Sequence, residues 1–150
     1  MAEKSWSRRR SRQTRSVNEP RVRYLSLEWI DALSAEVAAS AALSELAGSH
    51  EVGITQVVDG GPEGKVVYHL QVGDGRAAFG PGAADPEHVR FEQEWETAVA
   101  VATEKLNAQQ AFITGRIRLF GDQSKLQEST PVFAALDSVF STVRNRTDYV

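Results

Sequence analysis

Apolar and polar residues recur along the chain with two different periods, which mark out helices and strands. After the first two dozen residues, an apolar stripe recurs at helical spacing and predicts a helix over residues 24–47. The stripe is formed by Trp29, Leu33, Val37 and Ala41. Ser26 is suited to cap the start of this helix, and Gly48 is suited to end it.

Four segments are then predicted to be strands: the first is rich in β-branched residues, the second and fourth alternate with a period of two, and the third follows a turn. They are residues 51–58, 65–72, 76–80 and 88–95. The turn Gly73-Asp74-Gly75 joins the second to the third and predicts a hairpin. In the fourth segment Phe91 and Gln93 alternate with Arg90 and Glu92, which predicts one wet face.

The last third of the chain predicts helices on either side of one more strand. A helix is predicted over residues 94–106, further helical turns over 107–113, and a strand over 116–120. In that strand one face holds Ile117 and Leu119, and the other holds Arg116, Arg118 and Phe120. The final helix begins near Pro131, with its stripe formed by Phe133, Leu136, Phe140 and Val143. Strands that are grouped together predict an α+β fold with a largely antiparallel sheet.

Charge divides the 150-residue chain into a basic arm and an acidic body. Residues 1–23 hold eight basic and two acidic residues, a formal charge of +6, so residues 24–150 carry −9 of the total of −3. The arm has few large apolar residues and is predicted to be disordered, while residues 24–150 form one domain. The arm is a solubilising tail, a tail that folds back on the acidic body, or a weak anchor to anionic lipid. No aromatic and basic surface in the body supports base recognition, so no nucleic acid partner is expected.

The sequence offers few groups for catalysis. It has no cysteine, which fits a cytoplasmic protein, and its three histidines lack metal-ligand spacing, so no metal or cofactor is predicted. The match to G-x-G-x-x-A at residues 73–78 is followed by Phe79-Gly80-Pro81 rather than by a helix, which favours a hairpin turn over a dinucleotide site. His69 or the pair Glu92 and Glu94 could serve an enzyme, but a solvated sheet surface is the simpler interpretation.

Residues 107–126, NAQQAFITGRIRLFGDQSKL, resemble the C-terminal signature of the sterol carrier protein type 2 domain in its bacterial, stand-alone form. The matching features are Asn107, Gln109, Ala111-Phe112, Gly115, the alternation over residues 116–119, Gly121-Asp122 and Lys125-Leu126. Residues 68–75 and 86–95 resemble the family's upstream strands, and the resemblance spans about residues 25–145. The basic arm is not part of the family pattern.

This resemblance implies a five-stranded, mostly antiparallel sheet covered by helices on one face, with an apolar tunnel between them. It implies a non-catalytic carrier of a fatty acid, acyl-CoA, phospholipid or sterol-like ligand, with the C-terminal helix as part of a lid. The residues implied to line the tunnel are Trp95, Val99, Leu106, Phe112, Phe120, Phe133, Leu136 and Phe140. From the residues alone, ordinary core is the default interpretation of the aromatic residues, and the sequence does not separate it from a cavity lining. These residues are Trp29, Trp95, Phe112, Phe120, Phe133 and Phe140.

Three hypotheses follow for the function. The first is a lipid carrier with weak membrane affinity from the arm. The second is an accessory or oligomerisation module whose apolar groove holds a protein partner. The third, which the missing catalytic groups disfavour, is an enzyme that uses His69 or the two glutamates.

Overall fold

The computed structural model describes residues 21–149, and these form seven strands and six helices. The strands are β1 (Val22–Arg23), β2 (Val52–Gly61), β3 (Gly64–Gly73), β4 (Arg76–Pro81), β5 (Val89–Glu94), β6 (Ile117–Gly121) and β7 (Thr147–Asp148). The helices are α1 (Leu27–Ala39), α2 (Ala41–Leu46), α3 (Trp95–Ala102), α4 (Ala108–Ile113), α5 (Gln123–Glu128) and α6 (Thr130–Arg144).

Five of the strands form the main sheet, in the order β4-β3-β2-β5-β6. Only β2 and β5 are parallel among these neighbours; the other three pairs are antiparallel. This confirms the α+β fold with a five-stranded, mostly antiparallel sheet. A parallel pair needs a long crossover, which here consists of β3, β4 and the loop that leads into β5.

The predicted hairpin turn lies between β3 and β4. Gly73 pairs with Arg76, so two residues form the turn. Their φ angles are +53° at Asp74 and +74° at Gly75, and positive values at both positions are what a type I′ turn requires. A strand follows the turn, which confirms that the G-x-G-x-x-A match is a hairpin and leaves no helix N-terminus there for a pyrophosphate.

One face of the sheet is covered by helices, and the core lies between them. Helix α1 packs across β4 and against α6. Leu33 and Val37 of α1 are fully buried. Val132 and Val143 of α6 are at most 1% exposed. Burying each such side chain is worth about 1.5–3 kcal/mol, so these contacts fix both helices over the sheet.

The first helix differs from the prediction, because the single helix expected over residues 24–47 is two helices. Ser40 has extended backbone angles and ends α1, and its side chain then accepts a hydrogen bond from the Leu43 N–H at 3.2 Å to begin α2. Helical periodicity runs through the break, because α1 and α2 both bury residues against α6. The predicted cap at Ser26 is confirmed, since its Oγ accepts from the Trp29 N–H at 3.2 Å.

Three further elements were not predicted. Helix α5 follows Asp122, whose carboxylate accepts from the Lys125 N–H at 3.1 Å and caps the helix. The two-residue strands β1 and β7 form a parallel pair of their own. Strands this short carry no periodicity in the sequence.

The basic arm was predicted to run to residue 23, and residues 21–23 are the part that the structure describes. They are ordered, since β1 pairs with β7, and both arginines contact the body. Arg21 Nη2 lies 2.7 Å from Asp148 Oδ1, and Arg23 Nη2 lies 2.8 Å from Glu63 Oε2. The prediction of disorder for residues 1–20 lies outside the described residues.

Candidate functional site

Aromatic rings gather where α1, β3, β4 and α6 meet. Trp29, near the start of α1, is at the centre. Its ring centroid lies 5.0 Å from Tyr24, 5.4 Å from Tyr68, 6.0 Å from Phe79 and 6.3 Å from Phe140. Most of these pairs meet edge to face, a geometry that aromatic rings prefer. The cap at Ser26 fixes the first turn of α1 and therefore the place of Trp29.

Two adjoining cavities open beside these rings, between the sheet and helices α3 and α6. The first, here called the polar cavity, has a volume of about 160 Å³. The second, here called the apolar cavity, has a volume of about 210 Å³. Together they reach the lower end of the roughly 300–1,000 Å³ that is typical of small-molecule sites. Five residues line both cavities: Gln56, Tyr68, Val101, Asp137 and Phe140.

The walls differ between the two cavities. Aliphatic and aromatic side chains dominate the apolar cavity, which adds Ile54, Leu70, Phe79, Phe133 and Leu136 to the shared residues. The polar cavity adds Gln93, Arg144 and Tyr149, together with Tyr24, Trp29, Leu33, Ala98 and Ala102. The polar cavity is therefore the more polar end of a site whose walls are mainly apolar.

Two glutamines face the helices from the middle of the sheet. The Gln93 Nε2 of β5 donates to the Gln56 Oε1 of β2 at 3.2 Å. Each amide keeps further donors and acceptors after this bond. Among apolar neighbours, such groups favour a ligand that can hydrogen-bond to them.

The tyrosines of the site are neutral at ordinary pH. Burial raises the pKa of Tyr68 and of Tyr24 well above their usual range. At Tyr149 burial also raises the pKa, and the nearby Arg144 opposes that shift in part. These three side chains offer hydroxyl groups without negative charge.

The eight residues implied to line a tunnel lie in three different settings. Phe133, Leu136 and Phe140 of α6 line the cavities. Trp95 and Val99 of α3 are half-buried and pack against the core, and Trp95 covers Gly61, where an added Cβ would lie 2.6 Å from the indole ring. The remaining three, Leu106, Phe112 and Phe120, are placed away from the cavity walls.

Phe112 and Phe120 are exposed rather than enclosed. Their exposed fractions are 42% and 48%. Phe120 pairs in register with Arg90 of β5, whereas Leu119 pairs with Phe91, so Phe120 is on the face opposite the helices. This agrees with the alternation predicted for the strand. Because the cavities lie on the helix-covered face of the sheet, Phe120 cannot line them.

The side chains considered for catalysis lie outside both cavities. His69 contacts the loop on the opposite face of the sheet, where its Nδ1 lies 3.0 Å from the Gly82 carbonyl oxygen. Glu92 is paired on that face with Arg90 at 3.6 Å and with Arg118 at 3.4 Å. Glu94 is the residue that precedes α3. The structure does not bring His69 and the glutamates together.

Several lining residues were missed by the sequence analysis as site residues. Gln93 carried a signal, because it alternates in phase with Phe91 on the apolar face of its strand. Tyr68 and Phe79 were visible as apolar strand positions, yet nothing in the local sequence shows that a strand lies beneath a gap in the helical layer. Gln56 lies in a β-branched run without clear alternation, so no signal in the sequence showed that it faces the cavities.

Two kinds of feature are absent from residues 21–149. No cluster of three or more His, Cys, Asp or Glu side chains is placed there to hold a metal ion. None of the helices in this part of the chain combines the length and apolar character that crossing a bilayer requires.

Residues 29–134 match the family model described as the SCP-2 sterol transfer family. Solved structures of similar fold include a Thermus thermophilus protein described as a possible sterol carrier protein (TM-score 0.58, 18% identity, 87% of this chain and 94% of that one). They also include sterol carrier protein 2 (0.56, 19%, 82% and 98%) and the apo form of sterol carrier protein 2 from Yarrowia lipolytica (0.53, 17%, 77% and 89%). No curated protein sequence matches the chain.

Proposed function

Because the chain belongs to the SCP-2 sterol transfer family, we propose that it carries one lipid or sterol-like molecule in the space between the sheet and helices α3 and α6. The observation that supports this most directly is the pair of adjoining cavities at the aromatic cluster. Each CH₂ group moved out of water contributes about 0.8 kcal/mol, so an apolar chain binds without needing reactive groups. The protein releases its ligand unchanged.

In this proposal the two cavities act as one tunnel when a ligand is bound. Phe140 and Val101 line both cavities, from α6 and α3 respectively. Rotation of the Phe140 ring joins the two volumes, and α6 serves as the lid. Phe133, Leu136 and Phe140 are then the ligand contacts among the eight residues first implied.

The test is binding of a defined lipid panel. Native mass spectrometry of the purified protein, and titration with a fatty acid, an acyl-CoA, a phospholipid and a sterol, should show one ligand per chain for at least one class. Val101→Trp fills the space that both cavities share and should weaken that binding at least about tenfold, or about 1.4 kcal/mol.

The matched control is Ile113→Trp, which adds the same ring at a residue that is 78% exposed and should leave affinity within about twofold. A chain that stays empty across the panel contradicts the carrier proposal. A stable complex with a protein in place of any lipid would favour the alternative, an accessory module whose groove holds a partner segment.

A further inference from the structure

We propose that Arg144 binds the anionic head group of a single-chain amphiphile whose tail lies in the apolar cavity. This rests on the proposed function and adds the orientation and charge of the ligand. The reason lies in the unequal ends of the site. Arg144 lines the polar cavity only, whereas Phe133, Leu136 and Phe79 line the apolar cavity only.

Arg144 is placed where its charge acts strongly. Only 25% of its side chain is exposed, so water screens it less than a surface arginine. It comes from the last turn of α6, one turn after Phe140, so a ligand that passes the Phe140 ring meets the guanidinium next.

Arg144 lies close to the Tyr149 hydroxyl, and its other side-chain contacts are long. Its Nη1 lies 3.9 Å from Glu104 Oε2 and its Nη2 lies 3.9 Å from Asp137 Oδ1, and both distances exceed those of hydrogen bonds. The contact from Nη1 to Ser141 Oγ is 3.5 Å. A guanidinium has five donors in a planar fork that matches two oxygens of a carboxylate or phosphate. The fork is therefore available to a ligand anion.

Asp137, which lines both cavities, and Glu104 both oppose an anion near Arg144. Their side chains are 76% and 77% exposed, however, so solvent screens their charges more than that of Arg144. In addition to Arg144, the Gln56 and Gln93 amides can donate hydrogen bonds to further head-group oxygens. The balance of charge and donors favours an anionic head over a neutral one.

The experiment compares palmitate, hexadecyl phosphate and hexadecanol, which share one chain length, by titration into the delipidated full chain. Wild type should bind at least one anion more tightly than the alcohol. Arg144→Gln should lower the affinity for that anion about ten- to a hundredfold, the range for a hydrogen bond to a charged group, and change hexadecanol affinity less than about twofold. The anion that shows the larger effect identifies the head group as carboxylate or phosphate.

Three further variants separate binding from structure. Arg144→Lys should keep part of the preference, since it keeps the charge without the fork. Asp137→Asn should raise anion affinity, and Arg116→Gln, which removes an exposed charge outside both cavities, should have no effect.

Equal losses for anion and alcohol in Arg144→Gln, or no loss for either, overturn the role of Arg144 and leave the carrier function standing. A wild-type chain that binds none of the three ligands, nor any lipid of the wider panel, overturns both.

Discussion

Tyr68 and Tyr24 line the polar cavity, and each residue is only 6% exposed. Burial of a phenol penalises its charged form, which is why both pKa values are raised. In unfolded chains tyrosine has a pKa of about 10. Tyrosine can therefore serve in this wall without bringing a charge next to an apolar ligand at neutral pH.

The difference between the raised folded-state pKa values and the unfolded value predicts that the protein loses stability at alkaline pH. Below about pH 10 both states hold the phenol protons, so the buried tyrosines leave the free energy of unfolding unchanged. Above it the unfolded chain releases protons that the folded chain retains, and the free energy of unfolding falls as pH rises toward the folded-state values. Denaturant titrations between about pH 8 and pH 11, with tyrosinate absorbance, measure the effect.

Tyr68→Phe is the control for that series, because it removes the titrating hydroxyl and keeps the ring. Its stability should fall less steeply with alkaline pH than that of the wild type. An unchanged slope in Tyr68→Phe, or ionisation of all three tyrosines together near pH 10, would contradict the prediction.

At the scale of elements, the start of α1 decides the shape of the site. Ser26 accepts from the Trp29 N–H and donates from its Oγ to the Arg23 carbonyl oxygen at 2.6 Å, and it is 3% exposed. The Ser26 hydroxyl thus links the start of α1, where Trp29 lies, to strand β1 by two hydrogen bonds.

Ser26→Ala should therefore lower the free energy of unfolding by about 0.5–2 kcal/mol, the usual cost of a lost cap. Ser34→Ala, the same change inside α1, should be within about 0.5 kcal/mol of the wild type, because alanine is favoured in helix interiors. Chemical denaturation of both variants gives the comparison. Equal effects of the two substitutions would show that the cap carries no special stabilisation.

Elements also show what the sequence could predict. Periodicity found β3, β5, β6 and the stripe of α6, because those patterns follow from burial on one face, whereas β2 was found from its β-branched residues and β4 from the turn before it. It missed the break at Ser40, since the apolar stripe continues through it. It could not separate Phe140, which lines a cavity, from Phe120, which faces outward. That distinction depends on which layers meet above each strand and not on the residue's own neighbours in sequence.

At the scale of the whole molecule, two basic residues of the arm are paired with the body, and the others lie in residues 1–20. Arg21 and Arg23 are paired with Asp148 and Glu63 of the body. Six basic and two acidic residues remain in residues 1–20, a formal charge of +4, against −7 for residues 21–150. A carrier of the kind proposed above has to meet membranes to load and unload its lipid, and its acidic body is repelled by anionic lipid. The positive charge of the arm would offset this repulsion at an anionic membrane.

We therefore expect deletion of residues 1–20 to weaken binding to phosphatidylserine-containing vesicles at least about tenfold, given about 1 kcal/mol for each basic residue near the surface. Binding by the full chain should fall as salt is added, because exposed charges are screened, and should be weak on neutral phosphatidylcholine vesicles. Thermal unfolding of the deletion variant must match the wild type, and its affinity for a soluble lipid should be unchanged. Vesicle binding that survives the deletion would assign membrane contact to the body and leave the arm as a solubilising tail.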